Sequence, residues 1–419
     1  MHSGSAGGGI VPASRRLSPA LAALVAVLVA GALAVPVIAR QWRGSDTAVH
    51  LEWARQICSG EVSPLGGARL EPHVLYPWLL CAALEATPGR DLKTAAYAVA
   101  IASWMAAAAA VLAARRAVLG PPDGPAAVQA EVGVTILLLL VSPISLLVAR
   151  NLYFGFVPLI AYHNPTVQLL RPLAIALFAL VAPLSARRAP GASWPHAAAL
   201  SSVTVLGTFA KPSFVVALLP ALACAAVVPP STPVWTPARK SLFAWVGLPA
   251  IACLAVQAVL FFHSASVSWA PLEVERALLR LGDPAVGAVG LGPRFLVSVA
   301  FPLAVLVSFG REAWRDPALR LAWFTFAWGA ALAYLVAENG ERRYHGNFTW
   351  SAQVALLVLF VQSTLFLAAA HRKASAATAR ARARRALCWG VFGLHAASGL
   401  LWYGVNVADL RALGQAALY

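Results

Sequence analysis

Residues 17–56, LSPALAALVAVLVAGALAVPVIARQWRGSDTAVHLEWARQ, decide the class of fold. The run from Leu17 to Ala39 is apolar and, at about 1.5 Å per helical residue, long enough to cross about 30 Å of hydrocarbon. A secretory leader has a shorter apolar core and a small-residue cleavage site. The run therefore reads as a retained first membrane helix, preceded by the Gly/Ser-rich start MHSGSAGGGIVPASRR and followed by a long polar loop.

The rest of the chain repeats this alternation. Of its 419 residues, 60% are hydrophobic and only 11% charged, with a mean hydropathy of +0.73. Soluble domains carry about 25% charged residues, so lipid covers much of this surface. Further apolar stretches fall near 94–114, 131–149, 167–186, 196–210, 213–229, 241–262, 295–310, 318–337, 350–370 and 386–405. Residues 73–87 are short for a crossing and read as a partial helix outside the bilayer. The expectation is an all-α polytopic protein, residues 1–419 forming one transmembrane domain with eleven crossings, within a range of ten to twelve.

Lys and Arg total 32 against 16 Asp and Glu, a net charge of +16. In a soluble protein that excess would indicate nucleic acid. Here an inside N-terminus collects 17 bases on the cytoplasmic side (Arg15, Arg16, Arg115, Arg116, Arg187, Arg188, Arg239, Lys240, Arg311, Arg315, Arg320, Arg372, Lys373, Arg380, Arg382, Arg384 and Arg385) against Asp123, Glu131, Glu312 and Asp316. The charge is thus topology under the positive-inside rule, and no nucleic-acid partner is expected. The basic segment 371–385 reads as a cytoplasmic loop beside anionic headgroups. Cys58, Cys81, Cys224, Cys253 and Cys388 are scattered, with neither metal spacing nor a disulfide framework.

Polar residues gather in four segments on the opposite side. In the first outer loop, 40–78, Asp46 and His50 lie four apart on one helix face. Asp46 is a candidate general base, tuned by a low-dielectric interface; the structural alternative is that Ser45 or Asp46 caps a short helix reaching Ile57. Glu52, Glu61 and Glu71 could replace it as base, and Glu71 and His73 are candidates to bind an acceptor or donate to phosphate. In residues 149–172, Asn164 and Pro165 start a helix as cap and first residue, His163 precedes them, and Arg171 lies about two turns inside an apolar run, where a charge is costly; His163, Asn164 and Arg171 are candidates to bind the phosphate of a donor. Lys211, directly before Pro212, marks a break between two short helices and is either a turn residue or an ammonium for a buried anion. In VAENGERRYHGNFTW, 336–350, Arg342, Arg343 and His345 suit phosphate oxygens. Asn347 is an acceptor-site candidate and also matches the glycosylation pattern Asn-Phe-Thr.

One acid facing several cations suits transfer of a sugar from a polyprenyl phosphate to a hydroxyl, the acid taking the proton and the cations meeting the phosphate that departs. No Asp-x-Asp pair or His/Asp cluster demands a divalent metal, and no cofactor is required. The loop GSDTAVHLEWA (44–54) after the first helix, followed by many crossings, resembles the GT-C superfamily of integral-membrane glycosyltransferases. YHNPTVQLLRP (162–172), FAKPSF (209–214) and ERRYHGNFTW (341–350) are similar to segments of its bacterial polyprenol-phosphate mannosyltransferase-like members. The resemblance implies a GT-C-like fold, a polyprenyl-phosphate sugar used on the extracytoplasmic face of the cell membrane, and Asp46 as base. Where many members have a second acid close by, the nearest here is Glu52. The implied partners are membrane lipids, the lipid-linked donor, and a lipid or glycan acceptor. A polysaccharide polymerase or ligase and a lipid-linked saccharide flippase are the rival readings. Residues 263–294 read as an interfacial segment covering the site or as a passive connector.

Overall fold

The computed structural model describes residues 18–41, 46–61, 73–86, 91–145, 154–160, 162–185, 190–227, 236–261, 266–282, 290–372 and 378–408. These residues are almost wholly helical, and among them eight helices are long and apolar enough to cross a membrane: α1 (Pro19–Gln41), α4 (Leu92–Leu119), α6 (Pro165–Val181), the continuous α9 (Pro237–Leu242) and α10 (Leu248–Phe261), α12 (Leu291–Phe309), α14 (Pro317–Leu335), α15 (Thr349–Arg372) and α16 (Ala379–Ala408). It is a multi-pass membrane protein. α15 is the hub, its central residues Trp350 to Leu365 almost all buried.

Shorter helices complete the bundle. α5 (Pro125–Leu140), α7 (Trp194–Ala210) and α8 (Ser213–Val227) have 16, 17 and 15 residues. α7 stops at Lys211 because the residue before a proline is disfavoured in helical geometry; Lys211 is extended, with φ −169°, and Pro212 and Ser213 start α8. α2 (Asp46–Cys58) and α3 (Leu75–Glu85) lie at one end. Eleven residues give α3 about 16 Å, half a crossing, and it packs on α2 and α4. α13 (Arg311–Arg315) lies at the opposite end.

Contacts between helix ends fix the order of passes. Arg116 donates to the Pro19 carbonyl and pairs with Glu131 at 2.9 Å, Arg372 donates to the Leu119 carbonyl, and Arg384 to that of Ser308. These gather one end of α1, α4, α5, α12, α15 and α16 into a basic-rich face. At the other end Asp46 meets Asn164 and Lys211 meets His73. Eight of the described helices are long and apolar enough to cross, and the shorter α5, α7 and α8 pack among them.

The pass begun by α5 is irregular. After Leu140 the chain is extended, and inside hydrocarbon such backbone persists only where protein satisfies its polar groups. Arg171 Nη2 donates to the Leu139 carbonyl at 3.1 Å, His395 bonds the Ser142 carbonyl at 2.7 Å, and Ser398 donates to that of Pro143 and accepts from Ser145 N. Further along, Arg294 donates to the Phe154 carbonyl, Ser298 accepts from Val157 N, and Gln168 donates to the Tyr162 carbonyl. This explains the charge of Arg171 within its helix: it is 2% exposed, stacked over Trp104 at 5.4 Å.

Three further findings revise the sequence reading. Cys58 and Cys81 form a disulfide joining α2 to α3, although their spacing suggested none. Two short strands, β1 (Val267–Trp269) and β2 (Val336–Glu338), pair antiparallel with Val267 opposite Glu338, an exception to the all-helical expectation. Within the described residues 266–282, β1 and α11 (Glu273–Gly282) pack on the 336–348 segment through Val274, Leu278 and Ala337. Inside α11, Glu275 is buried and accepts from the Gly155 N–H, and burial pushes its carboxyl up to about 8.

Two outcomes test this architecture. Replacing Arg171 by Leu leaves a buried carbonyl without its donor and lowers unfolding free energy by about 1–3 kcal/mol, read by thermal denaturation in detergent; an unchanged midpoint refutes the assignment. Under non-reducing denaturing conditions a thiol reagent labels Cys224, Cys253 and Cys388 alone, and labelling of all five would remove the disulfide.

Candidate functional site

A cavity of about 560 Å³ opens at the loop-bearing end, lined from seven stretches of the chain. α2 supplies Asp46, Val49, His50 and Trp53; His73 and Asn164 precede α3 and α6; Lys211 and Ser213 come from the α7–α8 break; Leu254 and Gln257 from α10; and Val267, Glu338, Arg342, His345 and Asn347 from the ribbon and the loop after it. Two acids, Asp46 and Glu338, thus share the space with Lys211 and Arg342. The wall between α8 and α10 is apolar at Val216 and Leu254, and α10 turns Ile251, Val256 and Val259 outward.

Asp46 is the first residue of α2, and its Oδ2 accepts from Asn164 Nδ2 at 2.7 Å. Asn164 caps α6 as its sequence suggested: its Oδ1 accepts from Val167 N at 3.0 Å and from Thr166 Oγ1 at 2.7 Å. Lys211 is 6% exposed, its ammonium 3.4 Å from Thr166 Oγ1, 3.3 Å from His73 Nε2 and 5.5 Å from the centre of the Trp350 ring. The Thr166 hydroxyl oxygen accepts from this ammonium, which lies beside an aromatic face at the edge of the cavity.

The histidines around Lys211 are neutral at ordinary pH. Burial, and secondarily the charge of Lys211, pushes His50 down to about 3. His73 is lowered by burial, by Lys211 and by its neighbours His50 and Arg342. His163 is lowered by burial and by Lys211, with Asp46 opposing the shift; its ring lies 5.5 Å from that of Trp350, and its carbonyl accepts from Thr47. His50 packs edge-on against Trp53 and Tyr76. Its Nδ1 is buried with no hydrogen-bond partner among the described residues, which leaves a neutral imidazole nitrogen for a ligand.

The other expected residues divide. Arg342, His345 and Asn347 line the cavity, and Asn347 donates to Glu338, so its amide is engaged inward, away from the exposed position a glycosylation acceptor needs. Arg343 turns away to pair with Glu273 at 2.6 Å and ties the loop to α11. Glu52 is exposed and holds Arg55, which also binds Glu61; neither acid lines the cavity. Arg171 serves the backbone of the broken pass. Glu71 lies outside the described residues. Glu338, the second acid, was not singled out from sequence: it reaches the site through a ribbon whose strands are 69 positions apart, and only the turn-forming Asn339-Gly340 directly after it hints at a strand end. Gln257, buried on α10, donates to the Thr208 carbonyl at 3.0 Å.

Among the described residues no group of three or more His, Cys, Asp or Glu side chains is arranged to hold a metal ion. No protein-family model matches the chain, and no curated protein is detectably similar to it.

The lowered histidines set a pH dependence. Their folded pKa values lie below the unfolded value of 6.5, so below that pH the unfolded chain binds more protons. Stability is level above about pH 6.5 and falls as the pH drops toward the folded value of His50, about 3. Thermal midpoints measured from pH 7.5 down to about 4.5 should show this decline, shallower in His50→Gln; an identical slope in that variant contradicts the burial of a neutral His50.

Proposed function

We propose that the protein is a glycosyltransferase of the GT-C type, moving a sugar from a polyprenyl-phosphate donor to a hydroxyl of a lipid-linked or membrane-embedded acceptor. One observation carries this reading. A single cavity contains a carboxylate, Asp46, a buried ammonium, Lys211, and an arginine, Arg342, beside an apolar wall at Val216 and Leu254. An amphiphilic phosphodiester has its charge and its tail matched by these two kinds of lining.

In the proposed step Asp46 takes the acceptor hydroxyl proton and the oxygen attacks the anomeric carbon. The bond from that carbon to the phosphate oxygen breaks, and the electron pair leaves with polyprenyl phosphate. The phosphate gains a negative charge as it departs, and Lys211 and Arg342 stabilise that charge where it develops. Glu338, held by Asn347, is suited to accept from sugar hydroxyls. No step calls for a metal.

The sidedness follows from two independent features. The basic-rich face is assigned to the cytoplasm by the positive-inside rule. The disulfide joins α2 to α3 at the opposite end, and such bonds persist in oxidising, non-cytoplasmic compartments. Both support a reading in which the cavity opens on the extracytoplasmic side of a cell membrane.

The test is turnover by purified protein with a panel of polyprenyl-phosphate sugars and lipid acceptors. Asp46→Asn should reduce kcat by about 10²–10⁴-fold with protein yield unchanged, whereas Glu52→Gln should leave it unaltered. Full activity of D46N removes the assigned base. Movement of a lipid-linked saccharide across vesicles without glycosidic transfer, in the wild type, would replace the enzyme with a flippase.

A further inference from the structure

We infer that Asn164 and Thr166 are positioning residues that register the carboxylate of Asp46 against the ammonium of Lys211 through the first turn of α6; this rests on the transfer reaction proposed above. The observation is a continuous chain of hydrogen bonds. Lys211 Nζ donates to Thr166 Oγ1 at 3.4 Å, Thr166 Oγ1 donates to Asn164 Oδ1 at 2.7 Å, and Asn164 Nδ2 donates to Asp46 Oδ2 at 2.7 Å. Every link runs in one direction, from cation to anion.

The direction is dictated by valence. Asn164 Oδ1 receives both Thr166 Oγ1–H and Val167 N–H, so the amide oxygen faces the helix and its NH₂ group must face Asp46. The amide thus offers Asp46 only donors, which occupy Oδ2 and leave Oδ1 as the face for an incoming hydroxyl. Thr166 is fully buried and Asn164 is 3% exposed, so neither rotates freely. Thr166 contributes one proton to the chain and accepts one in return, which a threonine or serine hydroxyl can do and a valine cannot. Bonds aligned in sequence polarise one another, so the ammonium strengthens each donor down to Asp46.

Sequence reading grouped Asn164 with donor-binding residues, and its capping role alone is enough to explain its presence. The substitution Asn164→Asp separates these readings. Aspartate caps a helix as well as asparagine, so the start of α6 is retained, but the group that donates to Asp46 is lost and a like charge takes its place. A pure cap tolerates the change; a positioning residue does not.

With a polyprenyl-phosphate sugar as donor, N164D and N164A should lower kcat by about ten- to hundredfold, the scale of a small misplacement of a reacting group, while donor KM stays within about twofold. Thr166→Val should act in the same way, and Thr166→Ser should restore most of the loss. A raised KM with kcat preserved would make Asn164 a substrate ligand and overturn the inference. A second readout does not depend on turnover: carbodiimide attacks protonated carboxyls, and peptide mass spectrometry follows its addition to Asp46 at fixed pH. Labelling of Asp46 should rise several-fold in N164D and N164A and stay at the wild-type level in Glu52→Gln. Wild-type labelling of Asp46 in N164D overturns the inference whatever the kinetics show. Wild-type protein inactive with every donor, combined with raised labelling in N164D, would remove the reaction and uphold the positioning.

Discussion

The structure depends on one constraint: within hydrocarbon, every backbone N–H and C=O must find a partner in the protein. α5 ends at Leu140 without completing its pass, and the extended chain beyond it is tolerated because side chains from three other helices meet its carbonyls and amides. Arg171 of α6, Arg294 and Ser298 of α12, and His395 and Ser398 of α16 each serve this backbone. These bonds hold residues 142–145 and 154–157 among the helices, and further along Asn164 meets the carboxylate of Asp46. The cavity at the surface is therefore held from within the bundle.

Close approach reinforces the same region. A Cβ on Gly399 of α16 would lie 1.8 Å from the Leu140 carbonyl oxygen, and one on Gly329 of α14 would lie 2.7 Å from that of Ser351. Backbone meets backbone at both places with no space for a side chain, the packing by which small residues draw membrane helices together. Ser351 in turn lines the cavity, so the fit of α14 on α15 sets the depth of its floor.

Much of this was legible in the sequence wherever the signal is local. Apolar runs gave the passes, Asn164-Pro165 gave a helix start with its cap, and Lys211-Pro212 gave a break with a cation at it. Topology assigned the basic residues to one side. Features that depend on distant partners were not legible. Arg171 looked like a ligand because its carbonyl acceptor lies on another helix 32 positions earlier. Glu338 was passed over because its strand pairs with residues two membrane helices earlier. The disulfide escaped notice because Cys81 lies in an apolar run, where a free buried thiol is the ordinary expectation. Arg342 and Arg343, adjacent and alike, diverge because only the second has Glu273 within reach.

The link between Cys58 and Cys81 has a consequence for biogenesis. Both cysteines precede α4, so the bond closes on a short stretch of nascent chain, while the ribbon that carries Glu338 has yet to be synthesised. The half of the chamber that bears Asp46 and His50 is thereby clamped early, and the later helices assemble against a surface already locked in shape. A host lacking thiol-oxidising folding catalysts would deliver the chain to the bilayer with that surface still loose.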